Sequence, residues 1–261
     1  MGQRADDHFQ RKVAAFITLR RPETEFIDAQ LLGNRRALPR GATLLHQGEP
    51  AENAHVLLSG WAIRYKSLSD GRRQVLGILL PGDLIGTEAH VLAEASATVA
   101  TLTPCTVTEF RATAIVEMLA QQPRLAASLL WMTAREEAFL GERLLSVGRQ
   151  SAFERVGHLF VELYHRLKLV GLVDGTSFEY PLTLEIVADA LGMSMVHASR
   201  TMQLLRAAHL VRRDKRRVRI LSLEKLERET EFSGLYLGRR LAEGEHFLTP
   251  KFDSDRTSTA R

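Results

Sequence analysis

The stretch from Thr183 to Leu210 reads TLEIVADALGMSMVHASRTMQLLRAAHL and decides the fold of the second half of the chain. Its apolar spacing predicts two short helices joined by a tight turn at Gly192. Thr183 and Ser194 are suitable N-cap residues, because their hydroxyl groups can accept from the free N–H groups of a first helical turn. The pattern is that of a helix-turn-helix, whose second helix lies in the major groove of DNA.

The second predicted helix has an apolar face and a polar face. Ala198, Met202 and Leu205 recur at spacings of four and three, so we expect them in the core. The opposite face carries Arg200, whose guanidinium suits a bidentate contact with guanine. The residues predicted to meet DNA from this helix are Ser194, Val196, His197, Ser199, Arg200 and Gln203. The alternative interpretation is an ordinary helical hairpin inside a globular core.

A basic segment follows this pattern directly. Residues 195–219 contain eight Lys or Arg residues and a single acid, Asp214. Val211 to Leu221 alternates weakly around Asp214-Lys215, which predicts a β-hairpin, or wing. A solvated run of charge is the alternative, but the position after a helix-turn-helix favours contacts with phosphates. The predicted wing contacts are Arg213, Lys215, Arg216 and Arg217.

Length and composition limit the class of protein. With 261 residues, of which 45% are hydrophobic, the chain can form two globular domains. The net charge of +4 is compatible with a polyanionic partner. Cys105 is the only cysteine, so an intrachain disulfide and a four-cysteine cluster are excluded. The charged start and the lack of a long apolar run predict a cytoplasmic protein with no membrane partner.

The spacing of apolar residues changes twice in the first half of the chain. Residues 1–36 predict peripheral helices, with a break at Arg20-Arg21-Pro22 and a second short helix from Glu25 to Leu32. Residues 37–110 contain short apolar runs separated by Gly-rich turns, which predict a small β-barrel or sandwich. Helical spacing returns at Thr113, and a long helix is predicted from Arg124 to Ser146.

That long helix carries a partly apolar row near heptad spacing. Such a row suits pairing with a second copy of the same helix, and helix-turn-helix proteins usually read two half-sites. The alternative is a helix packed only on its own β-domain. Leu144 and Val147 lie alongside the row. The residues predicted to dimerise are Leu125, Leu129, Met132, Glu136, Phe139 and Leu140.

The order of β-domain, long helix and winged helix resembles the Crp/Fnr bacterial transcription regulators over roughly residues 38–226. The motifs that carry the resemblance are Gly48-Glu49, Leu58-Ser59-Gly60, Asp70-Gly71-Arg72-Arg73-Gln74, Pro81-Gly82-Asp83-Leu84-Ile85-Gly86 and Ser96-Ala97-Thr98, together with the helix-turn-helix. The resemblance implies a homodimeric, non-enzymatic regulator that binds double-stranded DNA at a palindromic operator and contacts RNA polymerase.

The resemblance also implies an α+β fold with four segments. These are N-terminal helices and a jelly-roll-like β-roll sensor domain at 1–122, a dimerisation helix at 123–148, a winged helix-turn-helix domain at 149–228 and a polar C-terminal tail at 229–261. The sensor domain predicts an effector pocket lined by Gly86, Thr87, Glu88, Ser96 and Thr98.

Departures from the family pattern argue against cyclic AMP as the effector. Family members that bind it have a Glu after the glycine of the Pro-Gly-Asp motif and an Arg before the next Ser-Ala. Here Thr87 follows Gly86, and Ala95 stands at the Arg position. Leu140 and Gly141 replace the pair of hydroxyl residues that meets the purine. A buried phosphate without a cation is costly, so we expect a different effector.

Other candidate sites are weaker. His158, Glu162 and His165 share a helix face, but two histidines and an acid on an amphipathic helix are common, so no metal and no cofactor is predicted. Val196 replaces a Glu of the oxygen-responsive branch and predicts apolar contact with a thymine methyl group. Two alternatives remain: a regulator without a ligand, controlled by its abundance or by Cys105 oxidation, and, more remotely, a cyclic-nucleotide-responsive scaffold or enzyme. No catalytic motif supports the last.

Overall fold

The computed structural model of the chain describes residues 7–51 and 53–237. It begins with two short helices, α1 (Asp7–Ala14) and α2 (Arg21–Phe26), and a π-helical turn at Ile27–Leu31. The predicted second helix therefore starts four residues early. Pro22 lies in its first turn, where a missing N–H removes no hydrogen bond, so the proline opens this helix.

Eight strands follow and form two antiparallel sheets. Their bounds are β1 Asn34–Leu38, β2 Thr43–Leu45, β3 Asn53–Ser59, β4 Ala62–Ser67, β5 Arg73–Leu79, β6 Leu84–Ile85, β7 Thr98–Thr101 and β8 Cys105–Arg111. The sheet orders are β1-β8-β3-β6 and β2-β7-β4-β5, with the short helix α3 (Thr87–Leu92) after β6. Leu57, Leu79, Val99 and Val107 are buried in one cluster between the sheets. This sandwich confirms the predicted α+β fold with an N-terminal β-roll.

Gly82 fixes the approach of the N-terminal helix to the β-roll. Its φ of +87° lies in the left-handed region, and a Cβ there would come within 2.7 Å of the carbonyl oxygen of His8. Only glycine therefore accommodates both the turn and the contact. The turn also brings Asp83 beside Lys12 of α1, where the two side chains form a buried ion pair.

Two helices lead out of the β-roll. They are α4 (Ala112–Gln121) and the 27-residue α5 (Pro123–Arg149). Five of the six residues predicted to dimerise contact their own chain, and Leu125 and Phe139 are buried in it, which corrects the prediction for those two. Leu125 is completely buried, and Leu129 and Met132 pack partly buried against the same cluster under α1 and β3. Phe139 is buried, and Glu136 pairs with Arg64 of β4 at 2.8 Å.

A different face of α5 is exposed and partly apolar. Leu130 and Leu144 are 67% and 76% exposed, and Leu140 is the one member of the predicted row on this side. The exposed residues on this side of α5 recur at spacings of three and four, as residues on one helix face do. We call this surface the α5 outer face; it comprises Leu130, Ala134, Glu137, Leu140, Gly141 and Leu144.

The C-terminal half is a second α+β unit. Its elements are α6 Ala152–Leu169, β9 Val173–Asp174, β10 Ser177–Glu179, α7 Leu184–Leu191, α8 Met195–Ala207, β11 Val211–Asp214, β12 Arg217–Ile220 and α9 Leu223–Glu229. The strands form one antiparallel sheet in the order β11-β12-β10-β9. Ser151 and Glu154 form a capping box that starts α6, and only two residues separate α6 from the end of α5.

The two halves share a core. Trp61, Val75 and Ile78 of the β-roll belong to the same buried cluster as Phe160 of α6 and Val187 of α7. The winged helix is therefore packed on the sheet that contains β4 and β5.

Residues 229–237, at the start of the predicted polar tail, are partly buried against the rest of the chain. Thr230 is completely buried, and a 3-10 turn at Leu235–Leu237 buries Tyr236. The Tyr236 ring packs edge-on against Phe139 at 5.1 Å between centroids, and its hydroxyl lies 2.7 Å from Nε2 of His158. One aromatic side chain therefore ties α5 to α6. The rest of the predicted tail, residues 238–261, lies outside the described residues.

Candidate nucleic-acid interface and effector cavity

The helix-turn-helix is built by the two predicted caps and the predicted turn. The Thr183 hydroxyl accepts from the N–H of Ile186 at 3.3 Å, and the Ser194 hydroxyl accepts from the N–H of His197 at 3.2 Å. Gly192 ends α7 with a φ of +61°. These local hydrogen bonds confirm the boundaries predicted for α7 and α8, and they set the angle at which α8 leaves the turn.

The polar face of α8 points to solvent. Ala198, Met202 and Leu205 are buried beneath it, as their spacing predicts. Val196 is 63% exposed, and Ser199 is half-buried. The remaining exposed residues of the predicted set are Ser194, His197, Arg200 and Gln203. Met195 is also exposed on the first turn and was missed, because its apolar side chain has no sequence signal for DNA contact.

The basic hairpin lies beside this face. Strands β11 and β12 pair from Val211–Ile220 to Asp214–Arg217, and the side chains of Lys215, Arg216 and Arg217 are exposed. Two exposed arginines were missed: Arg212 and Arg219 face each other across the hairpin. The count of basic residues included both, but the sequence alone did not show that they share one surface.

Arg213 differs from its neighbours, because it is partly buried and has partners in its own chain, which weighs against the predicted contact with DNA. Its guanidinium stacks on the Tyr180 ring at 5.3 Å. Its Nη2 donates to the carbonyl of Leu182 at 3.4 Å, and its Nε donates to the carbonyl of Lys215 at 3.3 Å. The side chain therefore connects the wing to the segment that follows β10.

Helix α7 is fixed to the β-roll by polar contacts. Arg73 of β5 donates to Asp189 at 2.6 Å and to Glu185 at 3.0 Å. Gln74 donates to the carbonyl of Ala190 at 3.2 Å. Through these contacts the position of the β-roll sheet determines the position of the helix-turn-helix.

A cavity of about 470 Å³ lies where the β-roll meets α5 and α6. Three of the predicted effector residues, Thr87, Glu88 and Ser96, line it. Gly86 and Thr98, the other two, do not line this cavity. Gly86 caps α3 with a φ of +81° against Leu45, and the Thr98 hydroxyl accepts from the N–H of Gln47 at 3.1 Å.

The cavity wall is rich in cations, although Ala95 is apolar and buried as the sequence indicates. The cations come from α1, β4, α5 and α6. They are Lys12, Arg64, Lys66, Arg135 and Arg166. Sequence reasoning missed them because it looked for charge only at the family position beside Ser96. Residues from four distant elements have no common sequence pattern.

A buried ionic network forms one side of this wall. Asp83 pairs with Lys12 and with Arg166, the latter at 3.1 Å, and Arg166 also donates to Glu162 at 2.9 Å. Arg143 reaches Glu162 at 3.4 Å. Burial lowers the pKa of Lys12 to about 8, against the opposing charge of Asp83. Burial alone would raise the pKa of Asp83, but Lys12 and Arg166 outweigh it and hold that pKa below its usual range.

The histidines of α6 have separate partners. His158 contacts Tyr236, and His165 Nε2 lies 2.7 Å from Glu227. Glu162 is engaged by arginines. Within residues 7–51 and 53–237, no group of three His, Cys, Asp or Glu side chains is arranged to hold a metal ion. None of the helices in this part of the chain is long and apolar enough to cross a membrane.

Cys105 is poorly placed for redox control. Its side chain is buried, and Sγ lies 3.3 Å from the carbonyl oxygens of Trp61 and Thr103. Burial raises the pKa of the thiol, which reduces the fraction of reactive thiolate. These contacts weigh against the hypothesis of control by Cys105 oxidation.

Comparison with known proteins identifies both halves. Residues 35–122 match the cyclic nucleotide-binding domain family, and residues 154–229 match the Crp-like helix-turn-helix domain family. The chain is 31% identical over 176 residues to the transcriptional activator protein FnrL of Cereibacter sphaeroides, covering 66% of this chain and 69% of that protein. It is 29% identical to the nitrogen fixation regulation protein FixK of Azorhizobium caulinodans, covering 67% and 69%.

A solved structure supports the same fold. FixK2 from Bradyrhizobium japonicum superposes with a TM-score of 0.68 at 23% identity, over 75% of this chain and 96% of that one. The relatives are transcription regulators and not enzymes. With its β-roll, exposed recognition helix and basic wing, the chain belongs to the Crp/Fnr family of DNA-binding transcription regulators.

Proposed function

We propose that this regulator acts in the cytoplasm as a homodimer that reads a palindromic operator. The observation that carries the proposal is the exposed polar face of α8 beside an exposed basic hairpin. Arg200 contacts a guanine and Val196 a thymine methyl group, while Lys215, Arg216 and Arg217 bind phosphates. The division into a sensor at 1–122, a dimerisation helix at 123–148 and a DNA-binding domain at 149–228 is supported by the spans of the two family matches.

The dimer forms through the α5 outer face. Leu130, Leu140 and Leu144 are large apolar side chains exposed on one side of a long helix, and pairing with a second copy would cover them. This face replaces the row predicted from the sequence, whose other members pack on their own chain.

An effector in the cavity regulates DNA binding, and this effector is not cyclic AMP. Ala95 offers no charge to a cyclic phosphate, and Leu140 in the cavity wall offers no hydroxyl to a purine. A regulator without any ligand is the second candidate. The two differ in whether the purified protein, freed of small molecules, binds its operator at full affinity.

The bound dimer activates transcription by contacting RNA polymerase. This part of the proposal rests on the names of FnrL and other relatives, which are transcriptional activators. Transcription in vitro from a promoter carrying the operator upstream tests it. Repression of that promoter by the purified protein would contradict activation.

Selection of bound DNA from a random pool tests the central proposal. We expect a palindrome whose half-site centres are about 10 base pairs apart, or a multiple of that spacing, because the two recognition helices enter successive major grooves. The Arg200→Ala variant, run through the same selection, should lose its preference at one position in each half-site. A single unpaired half-site, or no enrichment, would contradict the homodimeric interpretation.

A further inference from the structure

Arg135 of α5 lies in the cavity wall between two aromatic rings. Its Cζ is 5.0 Å from the centroid of Trp131 and 5.3 Å from that of Phe139. These contacts hold the faces of the guanidinium and leave its in-plane N–H donors unused. Among the described residues the group makes no hydrogen bond and no ion pair within 4.0 Å, and its buried Nε has no partner.

The acidic groups near Arg135 are held by other cations. Asp83 pairs with Lys12 and Arg166, Glu162 pairs with Arg143 and Arg166, and Glu136 pairs with Arg64. Burial, followed by the charge of Arg166, lowers the pKa of Arg135. A desolvated guanidinium without an acceptor is costly, so the site favours an anion that the chain itself does not supply.

The rest of the cavity indicates what kind of anion fits. Its volume is within the range of about 300–1,000 Å³ typical of small-molecule sites. Glu88 and Glu137 also line the cavity, so a monoanion is repelled less than a phosphate dianion. The apolar part of the lining suits a hydrocarbon or aromatic body. It consists of Leu76, Leu84, Met132, Phe139 and Leu140.

We infer that the cavity binds a small organic acid with one carboxylate and an apolar body, and that Arg135 holds the carboxylate. The inference rests on the proposed role of this cavity as the effector site and names the chemical class of the effector. A side-on guanidinium contact offers a carboxylate two parallel N–H donors.

The same cavity contacts both halves of the protein. Arg166 belongs to α6 of the DNA-binding half and Lys12 to α1, and both line the cavity with Arg135. A carboxylate added here changes the balance of charge around Asp83, the residue that joins α1 to α6. The ligand therefore acts at the junction that positions the helix-turn-helix, and it shifts the equilibrium toward whichever arrangement it binds more tightly.

Calorimetric titration of the full-length dimer tests the inference. The probes are benzoate and octanoate, with benzamide and octanamide as neutral isosteres and cyclic AMP as a nucleotide. We expect each carboxylate to bind at least roughly tenfold more tightly than its amide, the ratio expected from one charge-assisted contact. Arg135→Gln should abolish that ratio. Arg72→Gln removes one positive charge from an exposed residue outside the cavity and should preserve it.

Arg135→Lys is the control for misfolding, because it keeps the positive charge and loses only the two parallel N–H donors of the guanidinium. We expect carboxylate affinity between those of the wild type and Arg135→Gln. The inference is overturned if neither carboxylate binds the wild type, if the amides bind equally well, or if Arg72→Gln loses as much affinity as Arg135→Gln. Cyclic AMP binding that depends on Arg135 would also overturn it. Operator selection is run in parallel with the same protein. If the operator is still selected but no carboxylate binds, this inference is contradicted and the proposed DNA-binding function is not.

Discussion

Arg73 of β5 donates from Nε to Oδ2 of Asp189 on α7 at 2.6 Å, and this contact crosses from the sensor to the helix-turn-helix. Both side chains are mostly buried, and the Arg73 guanidinium also stacks on Tyr65 at 5.5 Å. Beneath the pair the two halves share one apolar cluster. A shift of β5 is therefore transmitted directly to α7.

Breaking this pair should loosen α7. We expect Asp189→Asn, which keeps the side-chain shape, to cost about 1 kcal/mol and to speed hydrogen exchange of α7 amides. Arg72→Met is the matched control, because Arg72 is exposed and its ion pair is with Asp70, two residues away. A double-mutant cycle with Arg73→Met should show coupling between the two side chains, and strictly additive effects would contradict the proposed contact.

Arg200→Ala should remove sequence specificity and leave the dimer intact. A bidentate guanine contact is worth about 1–3 kcal/mol, and a dimer loses it in both half-sites. Binding to the selected operator and to a scrambled sequence is measured by fluorescence anisotropy. Arg206→Ala, at the far end of α8, is the control and should affect both sequences alike. Unchanged affinity of Arg200→Ala for the operator would remove this residue from the base contacts.

The wing should contribute equally to the affinity for all DNA sequences. Replacing Lys215, Arg216 and Arg217 with Ala should weaken binding to operator and scrambled DNA alike. The slope of log K against log salt should shrink by roughly 0.9 for each phosphate that the variant no longer neutralises. Arg213→Ala should leave that slope near the wild-type value, because Arg213 braces Tyr180. An unaltered slope in the triple variant would show that the hairpin lies off the DNA.

The α5 outer face should control oligomeric state. Leu144→Glu places a charge at a residue that is 76% exposed, so we expect a folded monomer in analytical ultracentrifugation. Leu125→Ala should instead cost about 2–5 kcal/mol of unfolding free energy without dissociating the dimer, because Leu125 is buried in its own chain. A dimeric Leu144→Glu variant would contradict the assignment of this face.

The parts of the fold predicted from sequence are those that depend on short-range signals. Thr183 and Ser194 bond to N–H groups three residues away, and Gly192 needs only its own left-handed φ. The exposed face of α8 followed in the same way from helical spacing. Each of these signals involves residues that lie within one or two helical turns of each other in the sequence.

The parts that were missed depend on which elements meet in space. A heptad row on α5 cannot show whether its partner is a second helix or the β-roll beneath it, so Leu125 was assigned to the wrong contact. Lys12, Arg135 and Arg166 converge on one cavity from three helices that are far apart in sequence. Tyr236 lies between Leu235 and Leu237 in a segment that had been assigned to a polar tail, and only folding brought it to His158.

The contact between His158 and Tyr236 should make stability depend on pH. Burial is the main cause that lowers the pKa of His158 below 6.5; Glu162 opposes it and Arg143 adds to it. Among the described residues the buried Nδ1 has no partner, so a second ring proton would be an unpaired donor. The folded state therefore keeps this ring neutral.

The direction of this pH dependence follows from the number of protons that the folded and unfolded states bind at His158. Below pH 6.5 the unfolded chain binds a proton at His158 that the folded chain does not, so stability falls as pH decreases from that value. One proton changes stability by at most about 1.4 kcal/mol for each pH unit, which is the upper limit for the decrease due to this group between pH 6.5 and 5.5. Urea unfolding at pH 7.5 and 5.5 measures it, and His158→Gln should lose less stability between these pH values than the wild type. Tyr236→Ala, which uncovers the ring, should also flatten the dependence, whereas an unchanged difference in both variants would show that other histidines cause it.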